Sequence, residues 1–193
     1  GVEANARLTS VTGLVLVVML AVEGLTIVSI RPLLSWHIAI GLALVPPVGV
    51  KMGSTLWRFG RYYLHNPAYR RAGPPHPVLR VLGPLVMVST VVVLVSGVAL
   101  WLAGPDSGLL LSLHLDSFIV WFALMTVHVL GHIVKATRLT GADLTSRRRG
   151  AGVVPFRGAR YGLLLASLAA GVVVAVATRG MVGSWAAFGG HGG

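Results

Sequence analysis

The sequence predicts an all-α integral membrane protein with five transmembrane helices, and three observations predict it. Of its 193 residues 55% are hydrophobic and only 11% charged, with a mean hydropathy of +0.82, a balance suited to lipid rather than water. Five apolar runs, at residues 10–30, 33–56, 79–102, 113–136 and 161–177, each approach the ~20 residues that cross a bilayer. All sixteen lysines and arginines except Arg31 and Arg179 fall before the first run, between Lys51 and Arg80, or between Lys135 and Arg160. Alternate connections are therefore basic, which is the positive-inside pattern. The chain is expected to be one multi-pass membrane domain over residues 1–193, in the plasma membrane, with the N-terminus cytoplasmic and the C-terminus outside.

Each element has its own justification. The first run is too long for the apolar core of a signal peptide and no small-residue cleavage site follows it, so it is read as a membrane helix closed by Arg31-Pro32. The second carries Pro46 and Pro47, which remove backbone donors and leave carbonyls for neighbours to satisfy. Its connection to the third, residues 57–78, is rich in Arg and Tyr and is expected to lie along the headgroups. The later basic connection, TGADLTSRRRGAG, reads as a polar loop with little to order it. The fifth run, LLLASLAAGVVVAVA, shows no chemistry and is expected to pack outside a bundle of the other four.

A net charge of +11 raises nucleic acid as a partner, but its clustering beside the spans reads as topology and lipid contact instead. The absence of cysteine excludes disulfides, cysteine-ligated iron–sulfur clusters and covalent c-type haem.

The fourth run is where the chemistry concentrates. His114 and His128 are fourteen residues apart, which on a helix is four turns less about 40° and roughly 21 Å of rise. Both imidazoles then share one face near opposite membrane surfaces, with Phe118, Trp121, Met125 and His132 on the same stripe. A single membrane histidine is accounted for by a hydrogen bond to a neighbouring helix, and a heptad of large side chains by packing. Three histidines on one apolar face each need a partner in hydrocarbon, and b-type haem between helices supplies it.

His37 lies within two turns of the outer end of the second run. The second and fourth helices run parallel in this topology, so His37 and His114 reach one depth and are expected to ligate one iron. Gly41, one turn below His37, and Gly97 on the third run would let a flat macrocycle approach the backbone, although close helix packing explains either glycine alone. At the inner level the counterpart of His128 is Lys51, for which reaching toward headgroups or a haem propionate competes with ligation. His132, one turn from His128, suits a propionate, a quinone pocket or a structural hydrogen bond. Arg58 and Arg61 would neutralise propionates. Glu23, about 10 Å below the outer end of the first helix, is read as a buried protonated carboxyl, a hydrogen-bond partner of an axial histidine, or a proton acceptor at a quinol site. His65, His76 and His191 fall in connections or the tail and are read as solvated.

The histidine-bearing helices, their parallel pairing and the cysteine-free basic chain resemble the membrane-bound haem b cytochrome family, to which the formate dehydrogenase gamma subunit and the nickel–iron hydrogenase cytochrome b belong. More closely, the segments HIAIGLALVPPVGVKMGSTLWRFGRYY, NPAYRRAGPP and LHLDSFIVWFALMTVHVLGHI look like a group of actinobacterial membrane proteins with the same layout. The resemblance covers residues 8–135. It implies a four-helix bundle that binds haem b and passes electrons between a quinone and a redox partner. His37, His114 and His128 match ligand positions, and no histidine fills the fourth.

The expectation is therefore a membrane electron-transfer subunit of a larger oxidoreductase complex rather than a stand-alone enzyme, with metal ligands His37, His114 and His128. One haem b is expected and two is the alternative; quinone, lipid and other redox subunits are the expected partners, and nucleic acid is not. The rival readings are a cofactor-free scaffold or assembly subunit and a metal-ion or proton transporter using Glu23, His128 and His132.

Overall fold

A computed structural model describes residues 1–73, 77–149, 154–178, 180 and 185; His76, Arg179 and His191 lie outside them. Its elements are α1 (Val2–Val28), α2 (Ile30–Tyr63), α3 (Pro67–Arg71), α4 (Pro77–Ala103), α5 (Gly108–Arg149) and α6 (Arg157–Ala177), with no strand among the described residues. All but α3 are long and apolar enough to cross a membrane. Large apolar side chains stand exposed on every one of the five, among them Val18, Val45, Val88, Ile119 and Leu165. Exposure on that scale suits hydrocarbon, not water.

Only Ser29 separates α1 from α2, so the two form a tight antiparallel hairpin. The break falls before Arg31-Pro32, because Pro32 sits in the first turn of α2, where a missing N–H leaves no intrahelical bond unmade. α1 packs on α2 and α5, and α4 packs on α5. α2 and α4 meet only sparsely, and α2 faces α5 across the diagonal of the bundle. Leu16, Leu44 and Val48 form the buried centre, with Met19, Leu20, Ile40, Met52 and Leu94 around it.

α6 packs against α2 and, less extensively, α1, outside the four-helix core. Its register is set by the double proline. Pro47 has no N–H to give the carbonyl of Ala43, four residues back. Gly171 of α6 backs onto that carbonyl so closely that a β-carbon would overlap the oxygen. The orphaned acceptor is thereby covered by a glycine backbone, an approach that suits a Cα–H···O contact.

Two connections differ from expectation. α2 does not stop near Leu56 but runs to Tyr63, since no proline interrupts it before Asn66-Pro67; His65, exposed and in the left-handed region (φ 61°), ends it. The expected polar loop TGADLTSRRRGAG is also helical as far as Arg149, its last three residues lying outside the described ones. The reason lies in Asp143, which is 3% exposed and accepts hydrogen bonds from Arg160 (2.8 and 3.0 Å) and Arg7 (3.2 Å). Arg160 also donates to the Pro155 carbonyl at 2.6 Å, and Arg7 to Glu3 at 2.6 Å. The end of α5 is thus pinned to the starts of α1 and α6 by charge.

Burial pushes the Asp143 carboxyl up, but the hydrogen bonds and charge of Arg160, joined by the charge of Arg7, outweigh it and hold the group below the ordinary carboxylate range. A depressed carboxylate stabilises the fold above its unfolded pKa of about 4, and the contribution is lost as pH falls through the lower folded value. In detergent, Asp143→Asn should cost about 3 kcal/mol near neutrality because two arginines lose a buried partner. Unfolding of the two proteins followed from pH 7 to pH 3 should show the gap closing only below about pH 4. Separately, Gly171→Val should destabilise by roughly 1–3 kcal/mol through overpacking at the α2–α6 contact, read as a lowered unfolding temperature.

Candidate functional site

The site is built at the end of the bundle away from most of the arginines, where the α1–α2 hairpin sets Glu23 and Thr26 opposite His37. His37 Nδ1 lies 2.9 Å from Thr26 Oγ1 and 3.0 Å from Glu23 Oε1. The Thr26 hydroxyl donates its own proton to the Glu23 carbonyl at 2.5 Å, so toward His37 it can only accept. This network assigns the proton to His37 Nδ1 and leaves the Nε2 lone pair free for another partner. Gly41 makes the arrangement fit: a β-carbon there would sit 3.3 Å from Glu23 Oε1. The second carboxyl oxygen, Oε2, is buried without a hydrogen bond.

His114 enters from α5 with the same polarity. Its Nδ1 lies 3.1 Å from the Val93 carbonyl and 3.2 Å from Ser96 Oγ. A carbonyl only accepts, and Ser96 already donates to it at 3.1 Å, so His114 Nδ1 also carries the proton. Gly97 admits the ring, since a β-carbon would approach His114 Cε1 to 2.9 Å. The backbone faces of Gly41 and Gly97, expected against a macrocycle, are thus met by a carboxyl and an imidazole.

Across the bundle diagonal, the rings of His37 and His114 stand 6.4 Å apart between centroids, inclined at 71°. A metal–imidazole nitrogen bond is about 2 Å, which places two imidazoles on opposite sides of one ion with centroids roughly 6 Å apart. Both Nδ1 positions are occupied by protein acceptors, the usual way a protein orients a ligating histidine and raises its basicity.

Below this level the interior is packed. Trp121 Nε1 donates to Thr90 Oγ1 at 3.0 Å, and Phe118 stacks obliquely on Trp121 and Phe122. The next histidines, His128 and His132, touch ring to ring at 4.5 Å, one turn apart on α5. His128 Nδ1 is buried without a partner. Lys51, the expected counterpart of His128, is engaged on α1, while its charge still bears on His128 and His132. Its Nζ donates to the Thr9 carbonyl at 2.7 Å, in a notch left by Gly13. That contact joins the Asn5 and Thr9 bonds to Ser54, which tie α1 to α2. Arg58 is half-buried, and its charge, with those of Lys51 and Lys135, bears on His132.

The sequence reading missed Thr26 and Ser96, the hydroxyls that fix the two tautomers. Thr26 follows Glu23 by three residues on one helical face, a spacing that would have flagged it; Ser96 carries no such signal.

Among the described residues no group of three or more His, Asp or Glu is placed to hold a metal ion, whereas an axial pair needs only two. Gly97→Ala should drive the new methyl into His114 and lower stability by about 1–3 kcal/mol. Gly24→Ala, with nothing near its β-position, should be neutral or stabilising when both are unfolded in the same detergent. The functional reading rests on this geometry alone, since no protein-family model, no curated protein and no solved structure matches the chain.

Proposed function

We propose that the chain is a membrane b-type cytochrome subunit in which His37 and His114 are the axial ligands of one haem, carrying electrons within a larger oxidoreductase complex of the plasma membrane. The observation that supports this most is the diagonal pair of imidazoles with centroids 6.4 Å apart, each fixed through Nδ1 with Nε2 left over. Bound haem would supply a one-electron iron centre. The chain's own part is to hold it. Glu23 and Thr26 orient His37 and strengthen it as a donor, while Val93 and Ser96 do the same for His114. Half-buried Phe118 and Trp121, the latter bonded to Thr90, would exclude water beneath the pair.

At the inner level Lys51 is held by α1, and among the described residues no histidine from another helix is paired with His128, which supports one haem rather than two. His128 and His132 remain as the groups nearest the basic end for a quinone, the expected exchange partner. The basic residues at those helix ends support reading that side as cytoplasmic. A cofactor-free scaffold has one observation in its favour: the bonds from His114 to Val93 and Ser96 tie α5 to α4 without any cofactor.

A dithionite-reduced minus oxidised spectrum with a pyridine haemochrome assay separates the two. The proposal expects a sharp reduced α-band and one haem per chain in protein purified in detergent. His37→Ala and His114→Ala should each abolish it, and His128→Ala should leave it intact. Folded protein made with haem available yet lacking the band, or full haem content in both ligand variants, would leave the scaffold.

A further inference from the structure

α2 and α4 meet only sparsely, and a cleft of about 280 Å³ lies on that side of the bundle, lined by Met52, Met87, Val88, Val91 and Val92. Its walls are continued by two helical stripes. On α2, Met52, Phe59 and Tyr63 share one face at spacings of seven and four residues; on α4, Arg80, Met87 and Val91 do the same. The stripes meet at their ends, where Arg80 donates to the Tyr63 hydroxyl through Nε (3.1 Å) and Nη2 (2.5 Å). Phe59, half-exposed, stacks on Tyr63 with ring centroids 4.4 Å apart. The surface is thus an apolar cleft, then an aromatic step, then a guanidinium.

The guanidinium is the informative part. Arg7 and Arg160 both have Asp143, but α2, α3 and α4 contain no acidic residue at all; between Glu23 and Asp106 the chain has none. Arg80 is exposed, its bonded partner is a phenol rather than a carboxylate, and among the described residues its Nη1 has no hydrogen-bond partner. From Arg80 to Val92 the helix rises about 18 Å, against roughly 15 Å for one leaflet's hydrocarbon. Charge at headgroup depth and an apolar channel of one leaflet's length describe one ligand.

We infer that the α2–α4 cleft is a binding site for an anionic glycerophospholipid of the leaflet at the basic end, with its phosphate on Arg80 and Tyr63 and one acyl chain along Met52, Met87 and Val91. The forked donors of Arg match phosphate oxygens, and the tyrosine edge sits where aromatic side chains favour the interface. The lipid fills the space that α2 and α4 leave between them and so completes the bundle wall on that side. The inference stands independently of any haem.

Native mass spectrometry of the detergent-purified protein, titrated with dioleoyl phosphatidylglycerol or dioleoyl phosphatidylcholine, tests it. Wild type should retain the anionic lipid about fivefold better, the preference expected from one arginine at the surface. Arg80→Gln should equalise the two lipids, Arg80→Lys should keep the preference, and Val88→Trp should fill the cleft and release both. Circular dichroism and elution volume would check that each variant is folded. Equal retention of the two lipids by wild type, which needs no variant, would overturn the inference. So would an unchanged preference in Arg80→Gln, a neutral prenyl lipid retained in preference to phosphatidylglycerol, or a dimer of the chain that Val88→Trp dissociates.

Discussion

Hydrocarbon offers no hydrogen bonds, and this constraint governs where most polar side chains of the described helices go. A hydroxyl, imidazole or carboxyl carried into the bilayer must find its partner on its own helix or a neighbouring one. Thr26 returns a bond to its own helix and receives one from His37; Ser96 does the same with Val93 and His114; Trp121 reaches Thr90. These bonds set the helix pairing as much as the apolar contacts do, because lipid competes for apolar contacts but not for polar ones.

The two ends of the bundle solve the problem differently. At the basic end, charge is neutralised by charge. Asp143 holds Arg7 and Arg160 and so brings three helices together, and the arrangement accounts for the helical continuation of α5 beyond its apolar stretch. At the other end the polar groups are imidazoles and a carboxyl, and their network closes on the Nδ1 side alone. One carboxyl oxygen of Glu23 is left buried without a partner, where two histidines from diagonal helices stand with ring centroids 6.4 Å apart.

Glycine is the means by which polar groups are admitted into tight helix packing. Gly13 makes room for the Lys51 ammonium, Gly41 for the Glu23 carboxyl, Gly97 for the His114 ring, and Gly171 for the carbonyl that Pro47 leaves open. Each removes a methyl group where another helix delivers a polar atom. Glycine is frequent in membrane helices generally, and here its positions coincide with the interhelical polar contacts.

The spans, the all-helical architecture and the shared depth of His37 and His114 were legible in the sequence, because run length, charge bias and helical periodicity are properties of the chain itself. The meeting of Glu23 with His37 was legible as one of several options, and only the hairpin geometry selected it. The direction taken by Lys51, the order imposed on the segment after Ala136, and the occupation of Gly41 and Gly97 by side chains were decided by tertiary structure. Each depends on which groove a neighbouring helix offers. A lysine will turn into an interface when a glycine notch and a free carbonyl wait there, and a polar segment will fold as helix when two distant arginines meet its one aspartate. Periodicity tells which face of a helix a residue occupies; what stands opposite that face is settled only when the helices pack.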